Sequence, residues 1–592
     1  MAVPPIQRSP HPAGLRHPWL LDTVLGLLVV AALPLVIVTI PNTLSVVAKL
    51  LPGDIDQVGL MRTHGLALPA LMLTVPLAAV VLRRVQAAHV VLGGLALVAL
   101  SDAAGGYAAS ELVVGAVRVL RGIGAGLVLP ATLVAVWGRA PALRALWVGV
   151  FCLSLLAAQG LALWPLDQVS SWKVTLQPYP LVTGVALALA AVHLFVWTVL
   201  GRPAADGPDP RERSRLLLAA VPAAGIAVVA ISTATEGWRA IPVILLAATA
   251  IVGLLALASI GTAQSRTLAY SMVAVGVVLL PSAAQVTLVE MGGLGGPGLR
   301  GLWIPYGVAG LLAVGAAVVV RLFAGAGRRW PAPLGLLSMV VGLCSVRLVV
   351  PTADGLVLAV PFALLAVGAA VALTATLQEV EIGVAAFGLA LCFAGVLAGF
   401  LLGTGVQMAM LDGVKSAQEL VDRFVGALHW WALIGGFLTV AVIVLTAVMA
   451  RRPGRAATDE GDDGPPSSGS GEAAGDVLLV QAPVDDGSSR DAEGGEAAAA
   501  RAVPDGGGSA DGGRKWGDVI RAEAGVGGAD RGAGSGGVGD EEEPTGVVPR
   551  VVLPVSSRGA FDKLEPRPDG ESSGGPPAVP PQGHSPEDAA SS

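Results

Sequence analysis

Long apolar runs alternate with short polar breaks over the first 450 residues, and this rhythm is the main feature of the chain. A helix needs about 20 apolar residues to cross a bilayer core, so runs of that length bounded by charge, Pro or Gly predict spanning helices. Fourteen emerge. The first six cover 19–40, 60–82, 88–107, 112–137, 143–164 and 179–200. Two more follow at 216–235 and 238–260, and a last six at 268–289, 302–323, 333–350, 356–377, 382–410 and 428–450. The layout is six, two, six. No small-residue cleavage site follows the first run, which is of full spanning length, so the first helix is expected to stay attached.

Charge supplies the orientation. With the N-terminus inside, the cytoplasmic segments collect 17 Lys+Arg, among them Arg83, Arg84, Arg139, Arg144, Arg321 and Arg451, against 8 in the outer segments. That asymmetry places both termini in the cytoplasm, in agreement with an even number of spans.

The predicted organisation is a cytoplasmic N-terminus (1–18), a six-helix bundle (19–200), a cytoplasmic linker (201–214), two additional helices (215–260), a second six-helix bundle (261–450) and a tail (451–592). The tail holds 26 Asp+Glu against 13 Lys+Arg and is rich in Gly, Ser and Pro, a text too polar to offset its ordering entropy, so disorder is expected there. Its apolar islands at 477–480 and 547–555, with Trp516 between them, are either docking peptides for a cytoplasmic protein or accidental clusters.

Composition agrees with a lipid solvent: 54% of the residues are hydrophobic, 14% charged and only 4% aromatic. The small residues suit closely packed membrane helices. No basic, aromatic-interleaved patch points to nucleic acid. Cys152, Cys344 and Cys392 lie singly in apolar runs and read as small hydrophobes. No nucleophile set, phosphate loop or metal cluster appears, so neither an enzyme nor a cofactor is expected.

The segment 118–130, reading Arg118-Val-Leu-Arg121-Gly122-Ile-Gly124-Ala-Gly126-Leu-Val-Leu-Pro130, resembles the fourth-helix motif RxxQGxG…P of the major facilitator superfamily, in its fourteen-helix drug:H⁺ antiporter branch. Arg121 stands where that motif has Gln. Ser171-Trp172-Lys173 followed by Pro178 and Pro180 is similar to the segment that opens the branch's sixth helix. Other signatures differ. Of the charged core between the second and third helices only Arg84 remains, with Arg83 in the place of the gate Asp, and Ala32 stands at the acidic position of the first helix.

The resemblance implies an all-α carrier working by alternating access, with a small-molecule substrate, export as the favoured direction and protons as a candidate coupling ion, in the plasma membrane. The rival is a membrane scaffold without transport whose acidic tail recruits cytoplasmic partners.

A charge at bilayer depth costs about 2.5–3.5 kcal/mol on insertion scales and calls for a function or a partner. Arg118, about two turns below the outer end of its span, either binds an anion and steers a neighbouring carboxylate, or ties helices together through carbonyls. Arg121 lies on nearly the same face, and the two would make the outer cavity electropositive, with Glu290 or Glu111 as relieving partners. Glu290 is either a proton carrier or an exposed loop group. Gln159 and Gln285, with Ser154, Ser282 and Thr374, are expected cavity liners or interhelical bonds. Gly122, Gly124, Gly126 and Pro130, with Arg84 and Trp172, are expected to serve the fold.

Overall fold

The structure is a computed structural model that describes residues 18–44, 57–166, 171–199, 213–233, 238–260, 262–291, 296–323, 330–378 and 380–450. The expected cytoplasmic N-terminus, most of the linker 201–214, the tail 451–592, Gly292, Gly293, Gly295 and Glu379 lie outside these residues.

Fifteen α-helices make up the described chain, and fourteen spans among them are long and apolar enough to cross a membrane. This is a multi-pass membrane protein. The first six spans are α1 (Pro18–Ile37), the broken pair α2 (Gln57–His64) and α3 (Ala67–Val81), α4 (Ala87–Gly105), α5 (Glu111–Trp137), α6 (Pro141–Leu163) and α7 (Pro180–Val199). Next come α8 (Arg213–Thr233) and α9 (Ala240–Ala258). The last six are α10 (Ala263–Met291), α11 (Gly298–Phe323), α12 (Pro331–Val349), α13 (Ala359–Leu377), α14 (Ile382–Leu411) and α15 (Ala417–Ala450).

Local chemistry sets the ends. Ser110 accepts a hydrogen bond from the Val113 N–H and so caps α5, with Glu111 in the favourable first turn. Pro141 and Pro331 open α6 and α12, where a missing N–H costs nothing. After α14 the chain turns through Gly413 at φ +73°, a left-handed conformation that stops a helix cheaply only at glycine.

One span departs from the sequence expectation. The run 60–82 is not one helix: it breaks at Gly65 and Leu66, between α2 and α3. The break frees the His64 carbonyl from the helical ladder, and it needs another donor in a setting without water.

The two sets of six pack alike. In the first, α5 packs on α3 and α4, α6 on α1, and α7 on α1 and α4. In the second, α13 packs on α11 and α12, α14 on α10, and α15 on α10 and α12. Each pair in one set has its counterpart at the same ordinal place in the other. The bundles meet crosswise along two seams, α6 on α11 and α3 on α14. The additional helices cover one seam only: α8 touches both α3 and α14, and α9 lies on α14.

Burial separates the helices by role. In α10, 94% of the most apolar stretch is buried against protein, whereas in α9 only 22% is, which leaves α9 facing lipid. Between the bundles the Phe151 ring of α6 stacks on Trp147 at 5.1 Å and meets Phe393 of α14 edge-on at 6.0 Å, all three fully buried. Aromatic packing therefore fills the space between them.

The glycine row of α5 works by contact distance. A Cβ at Gly122 would collide with the Ala67 carbonyl of α3, and one at Gly124 would lie 2.7 Å from the Gly94 carbonyl of α4. Successive glycines thus seat α5 against different neighbours.

Candidate functional site

A buried polar cluster lies in the first bundle, at the end where α1 finishes and α5 begins. The charge bias makes this the outer end. Arg118 is 2% exposed and spends its guanidinium on backbone: Nε donates to the His64 carbonyl at 2.7 Å, and one terminal nitrogen donates to the Thr39 carbonyl at 2.8 Å and the Pro41 carbonyl at 3.4 Å. Those carbonyls are the ones orphaned by the end of α1 and by the break between α2 and α3. Arg118 therefore fastens three helices, and its charge is solvated by dipoles rather than by a carboxylate.

Arg121 is fully buried and reaches the other way. Three residues further on, a helix has turned about 300°, which leaves the two side chains roughly 60° apart on one face, and their long tips diverge to meet different neighbours. Its Nη1 lies 3.2 Å from Asp102 Oδ1 on α4 and donates to the Leu176 carbonyl at 2.5 Å. The other Asp102 oxygen accepts from the Thr183 hydroxyl of α7 at 2.5 Å. The expected partners are corrected here: neither Glu290 nor Glu111 neutralises Arg121, and Asp102 does. The expected electropositive outer cavity is corrected as well, because both guanidiniums are packed inside the bundle instead of facing an open space.

Trp172 helps to close this end. It begins a 3-10 turn, Trp172–Leu176, and packs with Leu44, Leu60, Ala108 and Val114. Its neighbour Lys173 donates to the Gly106 carbonyl at 3.2 Å. The Ser-Trp-Lys segment thus forms a short cover that also presents the Leu176 carbonyl to Arg121. His64 is completely buried under it beside the Thr175 backbone, in no geometry that makes a hydrogen bond.

Glu290 sits at the matching end of α10. It is 1% exposed, so it is not a loop group, and its Oε1 accepts from the Thr352 N–H at 3.2 Å while Oε2 has no hydrogen-bond partner. The same segment after α12 is held from α15, where His429 bonds the Val350 carbonyl at 2.9 Å. Further along α10, Gln285 is buried against Gly403 of α14 with its Oε1 unpartnered, and Ser282 accepts from Trp431 at 2.9 Å. The Thr287 hydroxyl bonds Tyr306, whose ring stacks on Phe362 and abuts Gly160 of α6. Gln159, also on α6, is buried, whereas Arg84 is exposed in the turn between α3 and α4.

The inner ends of the helices carry groups that sequence reasoning treated only as orientation signals. Arg139 pairs with Asp22 at 2.5 Å, joining the end of α5 to the start of α1. Arg144 of α6 lies over the Trp137 ring at 5.3 Å and borders a cavity of ≈ 20 Å³ with Arg321 of α11 and Thr374 and Gln378 of the α13 end. A second cavity of ≈ 30 Å³, lined by Gly160, Trp164, Trp303 and Tyr306, lies on the same seam. Each has room for a water or two.

Comparison with known proteins adds little. No family model matches the chain, and no curated protein matches it. Among solved structures it is similar to the proton:xylose symporter XylE of the major facilitator superfamily, bound to 6-bromo-6-deoxy-D-glucose. The identity is 15%, 73% of this chain and 95% of that one are covered, and the TM-score is 0.47. A likeness at that level assigns neither substrate nor mechanism.

Proposed function

We propose that this chain is a secondary transporter of the major facilitator type that exports a small amphipathic compound across the plasma membrane by alternating access. The observation that carries the reading is the repeated packing: two bundles with the same helix pairs meet crosswise, α6 on α11 and α3 on α14. Equal halves sharing two crossed seams can open at one end as they close at the other. Glycines lie along the bare seam, Gly149 against Val314 and Gly160 against Tyr306, so the surfaces that would rock are smooth.

In this reading Glu290 binds the proton. It is a buried carboxylate with one oxygen unpartnered and no cation bonded to it among the described residues. Gln285 and Gln159 supply polar contacts near the interface. Arg118, Arg121 and Asp102 act as the rigid frame of the first bundle and not as the binding surface.

The test is the full chain in liposomes, with a pH gradient driving a panel of lipophilic dyes. Glu290→Gln should retain downhill movement and lose the response to the gradient. Spin labels placed at the inner ends of α5 and α13 should report two distance populations. Absence of flux together with a single invariant distance would overturn the reading.

A second reading has its own support. The space between the bundles is packed with Trp147, Phe151 and Phe393, and the acidic tail is long, which suits a static scaffold that recruits a cytoplasmic protein. Tail-dependent capture of a defined partner without flux would favour it.

A further inference from the structure

We infer that the inner end of the α6–α11 seam is a binding site for a phosphate group, clamped between one arginine from each bundle. This stands whether or not the bundles rock. Arg144 belongs to the first bundle and Arg321 to the second, and both border the one cavity at the inner end of the seam. Among the described residues no carboxylate forms an ion pair with either. Like charges lining one cavity from opposite bundles, with no paired carboxylate among the described residues, form an arrangement that an anion would relieve.

The lining around them is rich in unused hydrogen-bonding atoms. Arg144 Nε, Thr374 Oγ1 and Gln378 Nε2 are all buried without a hydrogen-bond partner, and all three residues border the one cavity. Thr374 is unusual among the threonines and serines of these helices. Thr74, Ser154, Thr287 and Thr376 each bond a carbonyl one turn back on their own helix, whereas Thr374 does not. Its hydroxyl is left for whatever enters the cavity.

Two guanidiniums, an amide N–H and a hydroxyl arrayed around one space outnumber the two oxygens of a carboxylate and match the several oxygens of a phosphate. The Trp137 face holds the Arg144 plane in place, which pre-organises it for bidentate contact. A cavity of ≈ 20 Å³ admits an oxygen-bearing tip and not a whole molecule. The apolar wall of Leu133, Val148 and Leu377 beside it suits a phosphate attached to a hydrocarbon. A phospholipid headgroup and a free phosphate share this chemistry.

The experiment uses the full chain in uncharged maltoside micelles at constant ionic strength. One arm titrates inorganic phosphate against chloride, and the other adds phosphatidic acid or phosphatidylglycerol and counts bound lipids by native mass spectrometry. Tryptophan fluorescence, with Trp137→Phe as the blank, reports occupancy in both. One ligand per chain is expected in at least one arm, weakened about tenfold or more by Arg144→Gln and by Arg321→Gln, and severalfold by Thr374→Val.

Binding only in the lipid arm identifies a headgroup site, and binding only in the phosphate arm identifies a soluble ligand. Arg144→Lys and Arg321→Lys, which keep the charge but lose the planar fork, should fall between the wild type and the glutamine variants. An unchanged thermal midpoint in the glutamine variants separates lost binding from lost folding. Absence of binding in both arms, or binding indifferent to both arginines, would overturn the proposal.

Discussion

The ion pair between Asp102 and Arg121 offers the most demanding check on how the first bundle is held. At 3.2 Å, an effective dielectric constant of about 20 gives roughly 5 kcal/mol of attraction. That gain is offset by the cost of taking both charges out of water, so the net worth of the pair is small while the cost of breaking it is large. Arg121→Gln, which restores the residue of the resembled motif, leaves the Asp102 carboxylate buried with the Thr183 hydroxyl as its remaining partner. Asp102→Asn leaves the Arg121 charge on the Leu176 carbonyl alone. Each single change should destabilise by about 3–5 kcal/mol. For a bundle of this size that lowers the unfolding midpoint by roughly 10 °C. The double variant Asp102→Asn with Arg121→Gln carries no buried charge and can bond amide to amide, so it should be at least as stable as either single variant. The assay is thermal unfolding of the four proteins in micelles, followed by intrinsic fluorescence and arranged as a double-mutant cycle. Additive losses within about 0.5 kcal/mol would refute the reasoning, because they would mean that the two groups do not sense each other.

Arg118→Ala should cost about 3–5 kcal/mol by leaving the His64 and Thr39 carbonyls without a donor, and Arg118→Lys should recover only part of it because an ammonium lacks the planar fork whose separate nitrogens serve the two carbonyls; unfolding midpoints in micelles check both. Gly276→Val should abolish recovery of monodisperse protein, since its Cβ would run into the Cys392 carbonyl of α14, a backbone atom that cannot step aside; size-exclusion profiles after extraction report this. Asp22→Asn should be mild, under about 1 kcal/mol, because the Asp22–Arg139 pair is partly exposed and screened; raising the salt concentration should shrink the difference further.

Span positions were legible from the sequence because a bilayer imposes a length, and apolar runs of that length have few other uses. What the sequence hid is specific. Asp102 lies near the end of an apolar run, where an acidic residue reads as a boundary, and its partner is on another helix nineteen places along. The break at Gly65 follows the polar stretch Arg62-Thr63-His64, which the span reading absorbed, because hydropathy over a spanning window records solvent preference and not whether the backbone ladder closes. Arg144 and Arg321 were counted as cytoplasmic charges that orient the chain, which says nothing about their lining one cavity. In each case the missing information is a tertiary distance between residues that are remote in sequence. Arg118 was visible as an anomaly, but the choice between an anion and carbonyls depended on which backbone groups the fold leaves unpaired.

The one-sided placement of α8 and α9 shutters one seam between the bundles and leaves the other without an added helix. Because α8 grips both α3 and α14, separating the bundles there would tear a helix from one of its two supports. Along α6 and α11 neither additional helix bridges the halves among the described residues, and both cavities lie on that seam. In the proposed carrier, traffic between the lipid and the interior would be channelled to that flank, and a graft that removed residues 213–260 would give a one-doored vessel a second door.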